Sequence, residues 1–133
     1  MRDQGNRFKP GFRFSLFDAI VLILGVVCAA YFYGYSTHVA YLTLVVTGHF
    51  FLFCNVFRIS RHLEFIWSIA FIILATAFAV AEEFTLIWIT VLSLLVAAML
   101  IGYEMRQPLY HGVLWKLVNP KLPEHYEKSI KES

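Results

Sequence analysis

Charge is scarce in this chain: only 15% of its 133 residues are Asp, Glu, Lys or Arg. A soluble domain usually carries about a quarter. Cysteine is sparse too. Cys28 and Cys54 form no CxxC motif, which excludes a disulfide scaffold and argues against dithiol redox chemistry. With 4 prolines and 7 glycines there is no low-complexity tract. A phosphate-binding glycine loop, a zinc-ligand pattern and a recognisable nucleophile–base–acid set are all missing. The sequence therefore leans away from an enzyme and names no cofactor.

Apolar residues are what the chain has. They make up 59% of it, and its mean hydropathy is +0.67. A single small core cannot hide that much apolar surface, so the class is an integral membrane protein. A helix needs about 20 apolar residues to cross the hydrocarbon. Four stretches qualify: about Phe14–Tyr35, His38–Phe57, Phe65–Ala81 and Phe84–Tyr103. Asp18 is the only formal charge inside them. Their continuous apolar runs lack the period-2 alternation of barrel strands, and backbone in lipid must bond to itself. The expected fold is all-α: a four-transmembrane-helix bundle of two hairpins over 1–107, then a cytoplasmic segment over 108–133.

Loop charge sets the expected topology. Arg2, Arg7, Lys9 and Arg13 precede the first span. The Gly34–Thr37 connection has no basic residue, Arg58 and Arg61 lie in the second, and Glu82 and Glu83 in the third. Arg106, Lys116, Lys121, Lys128 and Lys131 follow the last span. Basic residues favour the cytoplasmic side, which places both termini there, in a membrane such as the bacterial inner membrane. Because the basic residues follow this rule, nucleic-acid binding is not indicated.

Two helix starts and stops are readable. Ser15-Leu16-Phe17-Asp18 has the form of a capping box, and Asp18 answers the positive end of the first helix. Gln107-Pro108 ends or kinks the fourth. Beyond it, Tyr110, Val113, Leu114, Leu117 and Val118 share one helical face. Pro108–Val118 is expected as an amphipathic helix on the inner leaflet, with Tyr110, Leu114, Trp115 and Lys116 as interfacial anchors. A polar tail follows, with Glu124/Lys128 and Glu127/Lys131 at helix-supporting spacing.

The candidate functional residues are few. His49 lies near the middle of the second span, where a polar group is costly and faces the protein. Three roles compete: a helix–helix hydrogen bond to a hydroxyl or carbonyl, an axial ligand to haem or a chlorin, or a proton relay or quinone contact. Asn55, Arg58, Arg61 and Glu64 recur at a spacing of three. With Arg13, Asp18, His62, Glu104 and Arg106 they are expected at the inner boundary. There they can serve as positive-inside anchors, as ion pairs locking the helices, or as a seat for lipid phosphate. His38, Glu82 and Glu83 offer metal-ligand chemistry without diagnostic spacing, so no metal site is expected. Small-xxx-small pairs, among them Gly25/Ala29, Ser93/Ala97 and Ala98/Gly102, mark sites of close helix approach.

The expected function is that of a small non-catalytic membrane subunit or scaffold. It would sit in the bilayer against other membrane subunits or copies of itself. The alternatives are a small oligomeric channel or transporter, and a redox or pigment-binding subunit using His49.

Overall fold

The structure, a computed structural model, describes residues 10–81 and 86–132. These residues form helices and no strands, with 78% in helix. Four helices are long and apolar enough to cross a membrane, the mark of a membrane protein. In chain order they are α1 (Leu16–Tyr33), α2 (Thr37–Phe51), α3 (Arg61–Val80) and α4 (Leu86–Met105), with α2 extended by a π-helical turn over Leu52–Val56. Two short helices follow, α5 (Trp115–Val118) and α6 (Leu122–Glu132). Arg2, Arg7, Lys9, Glu82 and Glu83 lie outside the described residues.

α1 packs along α2 and α3 along α4, while α2 also meets α4. This makes two hairpins with α2 on the inside. α1 is peripheral: only Asp18 and Ala29 of its 18 residues are buried, whereas α2 with its π-turn buries Ala40, His49, Phe53 and Asn55. The close approach of α1 to α2 depends on Gly25, where a Cβ would come within 2.5 Å of the Thr47 side chain. Thr47 cannot easily swing aside, because its hydroxyl donates to Thr43 O at 2.8 Å and its χ1 is stiff. Ala29, Ala40 and Ala97 are likewise buried where helices meet. The Ala98/Gly102 pair is different: both residues are exposed and a Cβ at Gly102 meets nothing, so this pair faces outward.

The core lies between α2, α3 and α4. Phe53, Leu63, Trp67, Phe71, Ile89 and Ala97 form one buried cluster. Trp67 stacks on Phe71 with ring centroids 5.1 Å apart. Its indole Nε1 donates to Ser93 O at 3.1 Å, which ties α3 to α4. Tyr41 and Thr90 share a 2.7 Å hydrogen bond between α2 and α4.

Two expectations need correction. α3 begins at Arg61, a turn earlier than hydropathy places the third span, because Ser60 stands extended as its N-cap and a first turn accepts charge such as Glu64. The expected interfacial helix over Pro108–Val118 is not formed. Only Trp115–Val118 is helical, and Leu114 before it has a left-handed φ of 65°. Tyr110 points into the protein and is 2% exposed, so it is no membrane anchor; Leu114 is exposed, as are Lys116 and Leu117. The physical reason lies at the end of α2.

Candidate functional site

A helix leaves its last carbonyls without intrahelical partners, and lipid offers none. The end of α2 solves this in an unusual way. The π-turn closes with Phe57 N–H donating to Leu52 O at 2.9 Å, and Ile59 N–H reaches back to Phe53 O at 3.0 Å around Arg58. Two distant segments supply further donors. Arg13 N–H donates to Asn55 O at 3.1 Å, and Val113 N–H donates to Val56 O at 2.9 Å. The two segments also bond to each other, Gly11 N–H to His111 O at 2.7 Å. A helix over 108–118 would turn its N–H groups inward on itself and leave Val56 O bare.

The C-terminal segment is held by shape as well. Tyr110 is buried and its hydroxyl donates to Val113 O at 2.7 Å. Gly112 lies against Phe57, where a Cβ would collide with the Phe57 carbonyl and the Tyr110 hydroxyl. Asn119 donates its amide to Pro108 O and closes the loop. Burial and the nearby negative charge of Glu104 push the Tyr110 hydroxyl above its ordinary pKa.

The N-terminal side is built around Asp18. Ser15 N–H and the Ser15 hydroxyl both donate to Asp18 Oδ2 at 2.6 Å, and Asp18 N–H donates to Ser15 Oγ at 3.3 Å. This is the capping box that the sequence announces. Asn55 is buried beside it. With its amide nitrogen facing the carboxylate, Asn55 donates to Asp18 Oδ2 at 2.8 Å and to Arg13 O at 2.7 Å. No charge pattern marks Asn55 as a partner for Asp18; the contact exists because the π-turn rotates Asn55 toward α1.

These elements enclose a polar cleft of about 570 Å³ at the end of the bundle where all four long helices start or stop. Arg13, Asp18, Asn55, Arg58, Arg61 and Glu64 line it, with Cys54, Glu104 and His111. A spacing of three puts neighbouring pairs from Asn55 to Glu64 on adjacent parts of one surface only while a helix continues. The structure instead breaks the helix over 57–60 and gathers the same residues around a bend. Cys54 Sγ donates to Glu64 Oε1 at 3.1 Å, and the Ser60 hydroxyl donates to Glu104 Oε2 at 3.4 Å. Arg58 takes a left-handed φ of 49°, a conformation that costs a side-chain-bearing residue about 1 kcal/mol or more. Burial and the adjacent Arg13 charge pull the Arg58 guanidinium below its ordinary pKa, although an arginine stays charged. His62 and Arg106 are exposed.

His49 stands apart from this cleft. It is 5% exposed, and its ring stacks on Trp67 with centroids 4.5 Å apart and planes inclined by 21°. Phe53 meets it edge-on at 5.9 Å. Its Nδ1 is paired with Val45 O at 2.8 Å, one turn back on its own helix. Of the three roles open to His49, the helix–helix hydrogen bond is not among these contacts: the ring stacks instead, and Nε2 is buried without a hydrogen-bond partner. Neither the polar cleft nor the apolar groove between α1 and α2 includes His49. Among the described residues, no group of three or more His, Cys, Asp and Glu side chains is placed to hold a metal ion.

Comparison with known protein families, with curated proteins and with solved structures returns no match.

Proposed function

We propose that this chain is a non-catalytic membrane subunit whose basic end faces the cytoplasm of a bacterial cell and docks a partner there. One observation carries this reading: the segments that precede α1 and follow α4 are both hydrogen-bonded to the carbonyl end of α2. Two main-chain bonds to that end, and a third between the two segments, make it a pre-organised platform. A rigid mount lowers the ordering cost of association. The platform presents α6, which is seated through buried Leu122 and exposes Glu124, Glu127, Lys128 and Lys131. The apolar flank of α1, with Phe17 and Ile23 exposed, supplies surface for lipid or for a neighbouring membrane subunit.

The test is purification from native membranes in a mild detergent after cross-linking in place. The wild-type chain is expected in a stoichiometric complex with another integral membrane protein, and removal of residues 119–133 is expected to dissociate it. A chain that runs alone, or only with copies of itself, would defeat the proposal. Orientation is tested with an impermeant thiol reagent in a Cys28→Ala background: Ser36→Cys is expected to react from outside and Ser129→Cys only after permeabilisation. The opposite pattern inverts the topology.

A further inference from the structure

We infer that the polar cleft is a headgroup site for a phospholipid carrying both a phosphate and a primary ammonium, with Arg13, Arg58 and Arg61 facing the phosphate and Glu64 and Glu104 facing the ammonium. The inference is independent of the docking role proposed above.

Three features carry it. The first is place and size. The cleft opens where the long helices end, which is the depth of lipid headgroups, and its volume of about 570 Å³ falls within the roughly 300–1,000 Å³ of small-molecule sites.

The second is the composition of its walls. Guanidiniums come from the segment before α1, from the bend after α2 and from the start of α3; carboxylates come from α3 and α4. Planar guanidinium forks match phosphate oxygens, and an ammonium presents three donors that suit carboxylates. Asp18 is already occupied by Ser15 and Asn55. Glu64 accepts from the Cys54 thiol and Glu104 from the Ser60 hydroxyl at 3.4 Å, and a carboxylate offers about four lone-pair sites, so each can also accept an ammonium N–H. A purely anionic ligand would neutralise the arginines and repel the two glutamates. A ligand with both charges answers both walls.

The third is the neighbourhood. Phe17 lines the cleft itself, while Phe14, Leu16 and Phe65 lie close by in sequence and are exposed. They offer apolar surface for acyl chains beside a charged headgroup pocket. The strained backbone of Arg58 fits the same picture. It leaves the Arg58 side chain lining the cleft together with Arg13, two guanidiniums that a single phosphate can bridge.

The experiment is delipidation of the full chain in mild detergent. Native mass spectrometry then follows its titration with phosphatidylethanolamine, phosphatidylcholine and phosphatidylglycerol in equal amounts. Phosphatidylethanolamine is expected to be retained about tenfold over the other two, the effect of one charge-assisted hydrogen bond. Choline has no N–H donor and the glycerol headgroup has no cation. Glu64→Gln with Glu104→Gln is expected to abolish the preference over phosphatidylglycerol. Arg13→Gln with Arg58→Gly is expected to weaken both phosphatidylethanolamine and phosphatidylglycerol about tenfold. Glycine suits the φ of Arg58, and tryptophan-fluorescence melting checks that each variant remains folded. Equal retention of the three lipids, or selectivity unchanged in the folded glutamine variant, overturns the inference. Free phosphoethanolamine separates the two sources of this chemistry. Failure of a millimolar concentration to displace the lipid supports a membrane ligand, whereas tight binding of phosphoethanolamine with no lipid preference reassigns the cleft to a soluble one.

Discussion

Asn55 donates to Asp18 Oδ2 at 2.8 Å and so fastens the end of α2 to the first turn of α1. Both side chains are buried, at 2% and 9% exposure. In such surroundings a carboxylate that loses this donor keeps only those from Ser15 and bears more of its desolvation cost. Asn55→Ala is expected to lower unfolding stability by about 1–3 kcal/mol, read as a fall in melting temperature in detergent. Asn55→Asp, which sets a second carboxylate against Asp18, is expected to cost more. A melting temperature unchanged by either replacement would show that the pair contributes nothing to stability.

Gly112 is the shape-determining residue of the C-terminal clamp. Gly112→Ala would place a methyl group against the Phe57 carbonyl, and backbone cannot yield as a flexible side chain can. The expected result is release of the segment around Val113, with faster amide exchange at Val113 and faster proteolysis after Gln107. α1 to α4 should stay helical by circular dichroism. Exchange at Val113 matching wild type would mean that the clamp tolerates the methyl group.

Tyr110 makes the clamp sensitive to alkali. Its hydroxyl is buried, faces the field of Glu104 and has a raised pKa. A group with a raised folded-state pKa contributes its full stability below its unfolded pKa, about 10 for tyrosine, and loses it as pH rises through the folded value. Release of the segment is therefore expected only in strongly alkaline solution, above pH about 10. In Tyr110→Phe this transition should vanish, and the clamp should be weaker by about 1 kcal/mol at neutral pH. Amide exchange at Val113 across pH distinguishes the two proteins; identical profiles would place the cause of any alkaline opening elsewhere.

His49 separates packing from chemistry. The ring fills a slot against Trp67 and Phe53. His49→Ala leaves a cavity and is expected to cost about 3 kcal/mol. His49→Phe keeps the stack and removes the unpartnered Nε2, so its stability is expected within about 1 kcal/mol of wild type. Thermal melting followed by tryptophan fluorescence reads both. Equal damage from the two replacements would point to a need for the imidazole nitrogens.

Much of the fold is written in single residues. Ser15 and Asp18 announce the start of α1, Pro108 lies just past the end of α4, and the apolar runs match the long helices to within a turn. The boundary residues Arg13, Asp18, Asn55, Arg58, Arg61 and Glu64 are also identifiable from composition at the right depth. Their arrangement is not. Periodicity assumes an unbroken helix, and the π-turn and the bend at Arg58 interrupt it with no glycine or proline to signal the change. The segment from Pro108 to Val118 misleads for a related reason. Helical spacing of Tyr110, Val113 and Leu114 identifies residues that can share a face, but not whether lipid or protein covers it. Here protein takes Tyr110 because the bare carbonyls of α2 need the neighbouring N–H groups.

The order of amino acids by itself determined that the chain is helical and suited to a bilayer. That outcome follows from transfer energies and local hydrogen bonding, which each segment settles within its own span of residues. Tertiary structure alone decided which charges meet, that His49 stacks instead of bonding across helices, and that both flanking segments close over one helix end. Those outcomes depend on unsatisfied polar groups finding donors brought from far along the chain, a condition that exists only once the helices have packed.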